Sequence, residues 1–360
     1  MEMSVTRLSA DLAAAGRRVA VFCRPDSAIE RDARERRLDT VPFAPADYIS
    51  PRSARLLRRQ LNLFDVRIVH SHYSKDLWIL CPALIGNAAV PLILTKHVGT
   101  RRAKTDALHR LIYSRVDRIL AISSVIERNV RATHPIDPER VTLLHHGIAI
   151  DDFTRDSERR RRIREEFGLG NDQLLIGIVG RLQEGKGHLE FLHMAAKIAV
   201  RWPRTRFLVV GAPTRGEADR ARPIYRLAAR LELGQRVIFT GYRSDVPGIL
   251  SALDIFAFPS HAEAFGLAVI EAMAAGVPVI ASRCDGVLDI VRDGETGLLV
   301  EPRDAAQLTG AVDRLLRDEG LRARLGHEGR LSIERQFNKE KMIDSLLSTY
   351  AASLRSRVRD

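Results

Sequence analysis

Short apolar runs alternate along this chain with longer segments of helical period. In the first half the runs fall at Arg18–Cys23, Val66–His70, Pro91–Thr95, Arg118–Ile122 and Val141–His145. In the second half they fall at Leu174–Val179, Arg206–Val210, Val237–Thr240, Asp254–Phe258, Val277–Ala281 and Gly297–Val300. Most are nearly continuous in Val, Ile, Leu and Phe, the pattern of parallel strands buried on both faces. The segments between them read as helices. Ser4 to Gly16 is amphipathic and ends in glycine. Pro51 to Leu61 starts on a proline and carries leucines on one side and arginines on the other. Strand–helix alternation of this kind predicts an α/β protein with parallel sheets, and 360 residues allow two separate cores. A charged stretch at 155–165 separates the halves and reads as a solvated linker helix.

Composition narrows the class. Apolar residues make up 45%, which excludes a disordered chain. Cys23, Cys81 and Cys284 form neither a disulfide framework nor a C-x-x-C site, and fit a reducing compartment. Leu77 to Thr95 carries no charge, but Pro82, Gly86, Asn87 and Pro91 interrupt it. It reads as a buried helix followed by a strand, not a membrane span. The net charge is +12, and residues 1–150 hold +9 of it, which points to an anionic partner for the first half.

One stretch carries the chemistry. From Phe258 through Pro259, Ser260, His261, Ala262, Glu263, Ala264, Phe265, Gly266 and Leu267 to Glu271, the chain reads as strand end, loop and helix start. Gly276 then stops the helix and Val277–Ala281 returns as a strand. Phe265, Gly266 and Leu267 would present backbone N–H groups at a helix N-terminus, suited to a diphosphate. Glu263 and Glu271 would face the carboxyl end of the sheet, where open α/β sheets bind ligands. A second loop, Gly180-Arg181-Leu182-Gln183-Glu184-Gly185-Lys186-Gly187, also joins a strand to a helix. Arg181 and Lys186 are placed there to clamp phosphate, Arg as a planar fork and Lys as a point charge. By themselves the two carboxylates could equally be solvated helix charges, and the two cations a surface pair.

The two glutamates, the Phe-Gly-Leu between them and the ending Glu-Ala-Met-Ala-Ala-Gly-Val-Pro-Val-Ile resemble the retaining glycosyltransferases of family 4 (glycosyl transferases group 1). The resemblance is dense from Ile176 to Val300 and thinner before residue 150. It implies a GT-B fold, with two Rossmann-like doubly wound domains facing a cleft. The domains would be an acceptor-side unit at 1–150, a nucleotide-sugar unit at 151–338 and a helix at 339–360 crossing back to the first. Glu271 would then hold the ribose, and Glu263 the donor sugar and the charge of its transition state. Tyr242 and Arg243 would lie near the base. His97, in Thr95-Lys96-His97-Val98-Gly99, resembles the family's strand-end histidine that reaches the donor sugar. His70 and His72 are weaker candidates, and Asp289 stands where the family commonly has Glu before a helix. His146 replaces the family's usual Asn in the turn before the linker. Preorganised cations and helix N–H groups can stabilise a leaving diphosphate without a metal, and the sequence has no D-x-D pair. No cofactor is expected beyond the nucleotide sugar as substrate.

The expectation is therefore a cytoplasmic, metal-independent enzyme. It would move a hexose-type sugar to a glycan or glycolipid in envelope polysaccharide or lipopolysaccharide synthesis, with peripheral contact to an anionic membrane and no nucleic-acid partner. A non-hydrolysing sugar-nucleotide epimerase, a pyridoxal-phosphate-dependent phosphorylase and a basic nucleic-acid-binding protein stay open as alternatives. The resemblance also implies that a first strand and a Gly-rich turn are missing ahead of Ser4, with Glu2 in the acidic position before the first helix. The chain is accordingly expected to be N-terminally short.

Overall fold

The computed structural model describes residues 2–45, 47, 49–170, 172–214 and 216–359, without the side chains of 2–4 and 358–359. The Glu2 carboxylate therefore lies outside the described residues. The chain divides into two compact units, one of residues 1–145 with 341–360 and the other of residues 146–340.

The N-terminal unit runs α1 (Glu2–Ala14), β1 (Ala20–Cys23), α2 (Ala28–Glu35), β2 (Asp39–Pro42), α3 (Pro51–Leu63), β3 (Val69–Ser71), α4 (Leu77–Ala83), β4 (Leu92–Lys96), α5 (Ala107–Ser114), β5 (Arg118–Ala121), α6 (Ser124–Thr133) and β6 (Val141–Leu143). The sequence reading passed over α2 and β2, whose short, charged segments carry little apolar period. The strands form a parallel pair, β1-β2, and a parallel sheet of order β3-β4-β5-β6. Among the described residues no ladder joins β1 to β3. The uncharged stretch resolves into α4, ended near Pro82, and β4, whose residues are all buried. No helix among the described residues is long and apolar enough to cross a membrane.

Position in the sheet decides how the polar residues of this unit are used. Arg58 of α3 donates to the Pro82 and Ala83 carbonyls at 2.8 and 2.9 Å, satisfying orphan acceptors at the end of α4. It is thus withdrawn from the basic face, where Arg52, Arg55 and Arg59 stay exposed. The last helix of the chain, α14 (Lys339–Arg359), packs Ile343 and Leu346 with Leu12, Ile93 and Leu120. Its Tyr350 hydroxyl lies 2.6 Å from His70 Nδ1, and His70 Nε2 is 2.7 Å from Thr95 Oγ1. His70 is thereby built into the packing of β3 against α14 and not offered to a ligand.

The C-terminal unit contains α7 (Ser157–Glu166), β7 (Leu175–Val179), α8 (His188–Arg201), β8 (Arg206–Val210), α9 (Arg222–Arg230), β9 (Val237–Gly241), α10 (Val246–Ala252), β10 (Ile255–Phe258), α11 (Leu267–Ala274), β11 (Val279–Ser282), β12 (Leu298–Val300), α12 (Ala305–Arg317) and α13 (Glu319–Gln336). Its six-stranded sheet has the order β12-β11-β10-β7-β8-β9, and its neighbouring strands run parallel. The order reverses between β7 and β10, the switch point at which such sheets bind ligands. One correction concerns α7. Its arginines are not all solvated, for Arg164 is only 3% exposed. Arg160 and Arg164 donate to the Ala252 carbonyl and to Asp254, capping α10. The charge run is in large part a structural clamp.

Two buried histidines make the N-terminal unit acid-sensitive. Burial and the nearby His97 hold His70 down at about 3. Burial and Lys96 hold His134, at the end of α6, also at about 3. Both stay neutral when folded but protonate near 6.5 when unfolded, so stability falls as pH drops from 6.5 toward 3. Each should remove roughly 2 kcal/mol between pH 7 and pH 5. Urea unfolding at both pH values checks this, and His70→Gln should lose less stability on acidification than the parent chain.

Candidate functional site

Two βα loops meet at the switch point of the C-terminal unit. The first follows β7 and is held against β8, with Gly180 N–H donating to Val210 O at 2.9 Å and Leu182 N–H to Ala212 O at 3.1 Å. The second follows β10. His261 N–H donates to Gly185 O at 2.8 Å and ties the two together. This approach depends on Gly187, at φ +77°, where a Cβ would stand 2.1 Å from Pro259 O. Lys186 and Glu263, 77 residues apart, then form an ion pair with Nζ to Oε2 at 2.5 Å. Both side chains are about four-fifths buried.

A third segment fixes the Glu263 backbone. The Asp285 carboxylate accepts from Glu263 N–H at 3.1 Å, and Gly286 N–H donates to Glu263 O at 2.9 Å. A Cβ on Gly286 would sit 2.4 Å from Ala264 O, so only glycine fits beneath this loop. Sequence reasoning missed both residues, although an Asp-Gly dipeptide just after a strand is a turn signal that could have marked them. It also missed His188, which opens α8 under Lys186 with 2% exposure. Burial and the Lys186 charge keep its imidazole neutral, down at about 4. Burial likewise raises the Cys284 thiol to about 12, so it is inert.

Gly266, at φ +117°, is the N-cap of α11, and Leu267 begins the helix. The N–H groups that open an α-helix have no acceptor four residues back, and here Val269 N–H turns to Gly266 O at 2.9 Å. Phe265 is buried with its ring 5.4 Å from that of His146. Glu271 lies half-buried on α11, one turn beyond Leu267. Arg181 is exposed on the β7 loop, and Tyr242 is 70% exposed after β9. An open cavity of about 450 Å³ is lined in part by Lys186, Arg220, His261 and Arg303. Arg303 Nε donates to His261 Nδ1 at 3.2 Å, so His261 Nε2–H must donate to Glu190 Oε1 at 2.8 Å.

Two expectations need correction. Arg243, expected near the base, is paired with carboxylates of its own unit. It forks onto Asp245 at 2.8 and 2.7 Å and onto Glu166 at 2.5 and 3.0 Å, and lies 5.7 Å from the Phe167 ring. Its guanidinium is spent on joining α7 to the turn before α10. Asp289 does not precede an α-helix, since it ends a 3₁₀ turn spanning Asp285–Asp289. In the N-terminal unit His97 is buried at the end of β4 with Nε2 3.1 Å from His72 Nδ1. The structure therefore brings His72 to His97 and leaves His70 in the packing.

The parallel sheets and the switch-point loops are those of the GT-B fold. The comparisons with known proteins agree over nearly the whole chain. Residues 1–152 match the model for "Glycosyltransferase Family 4" and residues 159–332 the model for "Glycosyl transferases group 1". The chain belongs to the family-4 glycosyltransferases. It is 31% identical over 313 residues to the D-inositol 3-phosphate glycosyltransferase of Mycobacterium tuberculosis (strain H37Rv), covering 80% of this chain and 62% of that protein. A solved glycosyltransferase from Rickettsia africae superposes with a TM-score of 0.88 at 20% identity, covering 98% of this chain and 94% of the other. Anabaena Alr3699/HepE, solved with UDP and glucose, gives 0.85 at 20% identity over 98% and 95%.

Two variants separate the site from the scaffold. Lys186→Ala should lower turnover at saturating donor by about 3–4 kcal/mol in barrier, roughly 10²–10³-fold, with little change in melting. Turnover within tenfold of the parent would count against Lys186. Arg243→Ala should do the reverse, costing about 1.5–3 kcal/mol of stability with donor KM nearly unchanged. A large rise in KM with intact stability would return Arg243 to the nucleotide.

Proposed function

We propose that this chain transfers a hexose-type sugar from a nucleotide diphosphate to a glycan or glycolipid, with retention at the anomeric carbon and without a metal. The observation that carries this reading is the Lys186–Glu263 ion pair beside the N-terminus of α11. It brings a phosphate-directed cation and a sugar-directed carboxylate to one point. When a donor enters, Lys186 and Arg181 take the diphosphate, and the N–H groups of Phe265, Gly266 and Leu267 add donors to it. The bridge to Glu263 then gives way to contacts with phosphate on one side and sugar on the other. Glu271 holds the ribose and Tyr242 offers a face to the base.

As the glycosidic C–O bond breaks, its electron pair goes to the diphosphate, where fixed cations and dipoles stabilise it. Glu263 supports the positive charge growing at the anomeric carbon. The acceptor hydroxyl attacks from the same face and gives its proton to the leaving phosphate, so no covalent enzyme intermediate is needed. The UDP complex of HepE supports a nucleotide donor by likeness of fold. An envelope polysaccharide or lipopolysaccharide acceptor handled at the cytoplasmic side fits the basic first unit. On α3, Arg52, Arg55 and Arg59 stand with Leu56 at 51% and Leu63 at 82% exposure, a face suited to an anionic leaflet.

Incubation with a panel of UDP-, GDP- and ADP-sugars should give donor hydrolysis with one of them, undiminished by EDTA. Proton NMR of the first-formed product should show the anomeric configuration of the donor. An inverted product, or activity abolished by EDTA and restored by a divalent ion, would overturn the mechanism. Exchange at donor C2 without acceptor would instead favour the epimerase. Flotation with liposomes containing anionic lipid should be salt-sensitive and fall when Arg52, Arg55 and Arg59 are changed together to Gln, and equal binding to neutral liposomes would remove the membrane contact.

A further inference from the structure

Lys96 closes β4, an inner strand of the four-stranded sheet, and is only 6% exposed. Its ammonium donates to Ser74 Oγ at 3.0 Å and Thr100 Oγ1 at 3.3 Å, both neutral. Lys104, half-buried on the loop after His97, donates to the Tyr113 hydroxyl at 3.0 Å. Two ammonium groups on neighbouring segments are thus each held by hydroxyls. Among the described residues, neither lysine has a carboxylate partner.

Asp76, two residues beyond Ser74 on the same 3₁₀ turn, is turned to Ser71, accepting from its Oγ at 3.4 Å, and is not paired with either lysine. Thr133 Oγ1 donates to Asn129 O at 2.7 Å, so it accepts from His134 Nδ1–H at 2.9 Å. The imidazole then turns a lone pair at Nε2 toward Thr100 Oγ1, 3.4 Å away. Asp106, the nearest acid along the loop, is engaged by the His109 backbone and ring at the start of α5. Buried charges are ordinarily paired, and this pair of cations has only hydroxyls. Burial accordingly pulls the Lys96 ammonium down to about 8. The arrangement is also fixed in advance. Asn129 exchanges two hydrogen bonds with the Thr100 backbone at 2.7 and 3.1 Å, and Lys104 N–H donates to Thr133 O at 2.7 Å. Thr100 and Lys104 are half-exposed, which gives the approach, and exposed Arg101 and Arg102 flank it.

We propose that Lys96, Lys104, Ser74 and Thr100 form a subsite for a phosphate monoester carried by the sugar acceptor. The site lies one residue before His97, at the carboxyl end of β4, where ligands of open α/β sheets collect. This rests on the reading of the N-terminal unit as the acceptor side. A tetrahedral oxyanion replaces the missing counter-charge and accepts from the third Lys96 N–H, from Lys104 and from the loop hydroxyls.

The test uses the full chain and inorganic phosphate, with UDP present at saturation to fill the donor loops. Phosphate should raise the melting temperature by about 2 °C or more beyond chloride of equal ionic strength. Lys96→Met and Lys104→Gln should each weaken phosphate binding, read by calorimetry, about tenfold or more, with UDP affinity unchanged. If Lys96→Met does not fold, the half-exposed Lys104→Gln decides alone. Phosphatidylcholine vesicles with and without phosphatidic acid identify the source. Capture by phosphatidic acid that Lys104→Gln loses assigns a lipid-borne phosphate, and a response to inorganic phosphate alone assigns a soluble phosphorylated acceptor. Equal effects of phosphate and chloride, or variants that bind phosphate like the parent, would overturn the subsite. A missing UDP response would instead strike the donor reading, so the two failures are told apart.

Discussion

The site depends on how closely two βα loops can approach at the switch point of the C-terminal sheet. Backbone meets backbone there, at Gly187 against Pro259 and at Gly286 against Ala264, where any Cβ would collide. With the loops that close, a lysine after β7 and a glutamate after β10 come within 2.5 Å. The ion pair keeps both charges compensated in the absence of ligand, which an isolated half-buried lysine or glutamate would lack. It also holds both side chains in the region where a diphosphate and a sugar would separate them. Binding then exchanges one charge-assisted contact for several, a form of preorganisation that leaves little to rearrange during the reaction.

Each unit spends many arginines on its own architecture. Arg58 caps α4, Arg160 and Arg164 cap α10 around Asp254, and Arg243 locks α7 to the segment after β9. A chain with 57 Lys and Arg looks strongly basic by composition, yet these cations face carbonyls and carboxylates inside the fold. The basic character available to a partner is smaller and more localised than the count suggests. It lies on the exposed face of α3 and on the loop from His97 to Asp106. There the compensation pattern differs, because Lys96 and Lys104 meet hydroxyls where Arg160, Arg164 and Arg243 meet acids.

The histidines divide in the same way. His70 is fixed between Thr95 and Tyr350, His134 between Thr133 and Thr100, and His188 lies buried under Lys186. All three are held neutral by burial, at the cost of acid sensitivity. His97 and His72 pair with one another at the end of β3 and β4. One of them must donate and the other accept, so the pair cannot be doubly protonated without breaking its contact.

The strand–helix alternation, the two-unit size and the loops carrying Arg181, Lys186, Glu263 and Glu271 were legible in the sequence. Each is written locally, as a run of buried apolar residues or as a glycine-punctuated turn between strand and helix. The family followed from the same stretch, because its two glutamates and the Phe-Gly-Leu between them lie within a few turns of chain. What the sequence could not assign were partners distant along it. Whether Arg243 faces a nucleotide or Glu166, whether His70 or His72 meets His97, and whether Asp285 supports Glu263 depend on which segments the fold brings together. The charge run at 155–165 has the composition of a solvated helix, and only its packing on α10 makes Arg164 a buried clamp. Residue type and local period set which elements form. The meeting of side chains 22 to 280 residues apart is a property of the tertiary structure, and there the roles of single polar groups were decided.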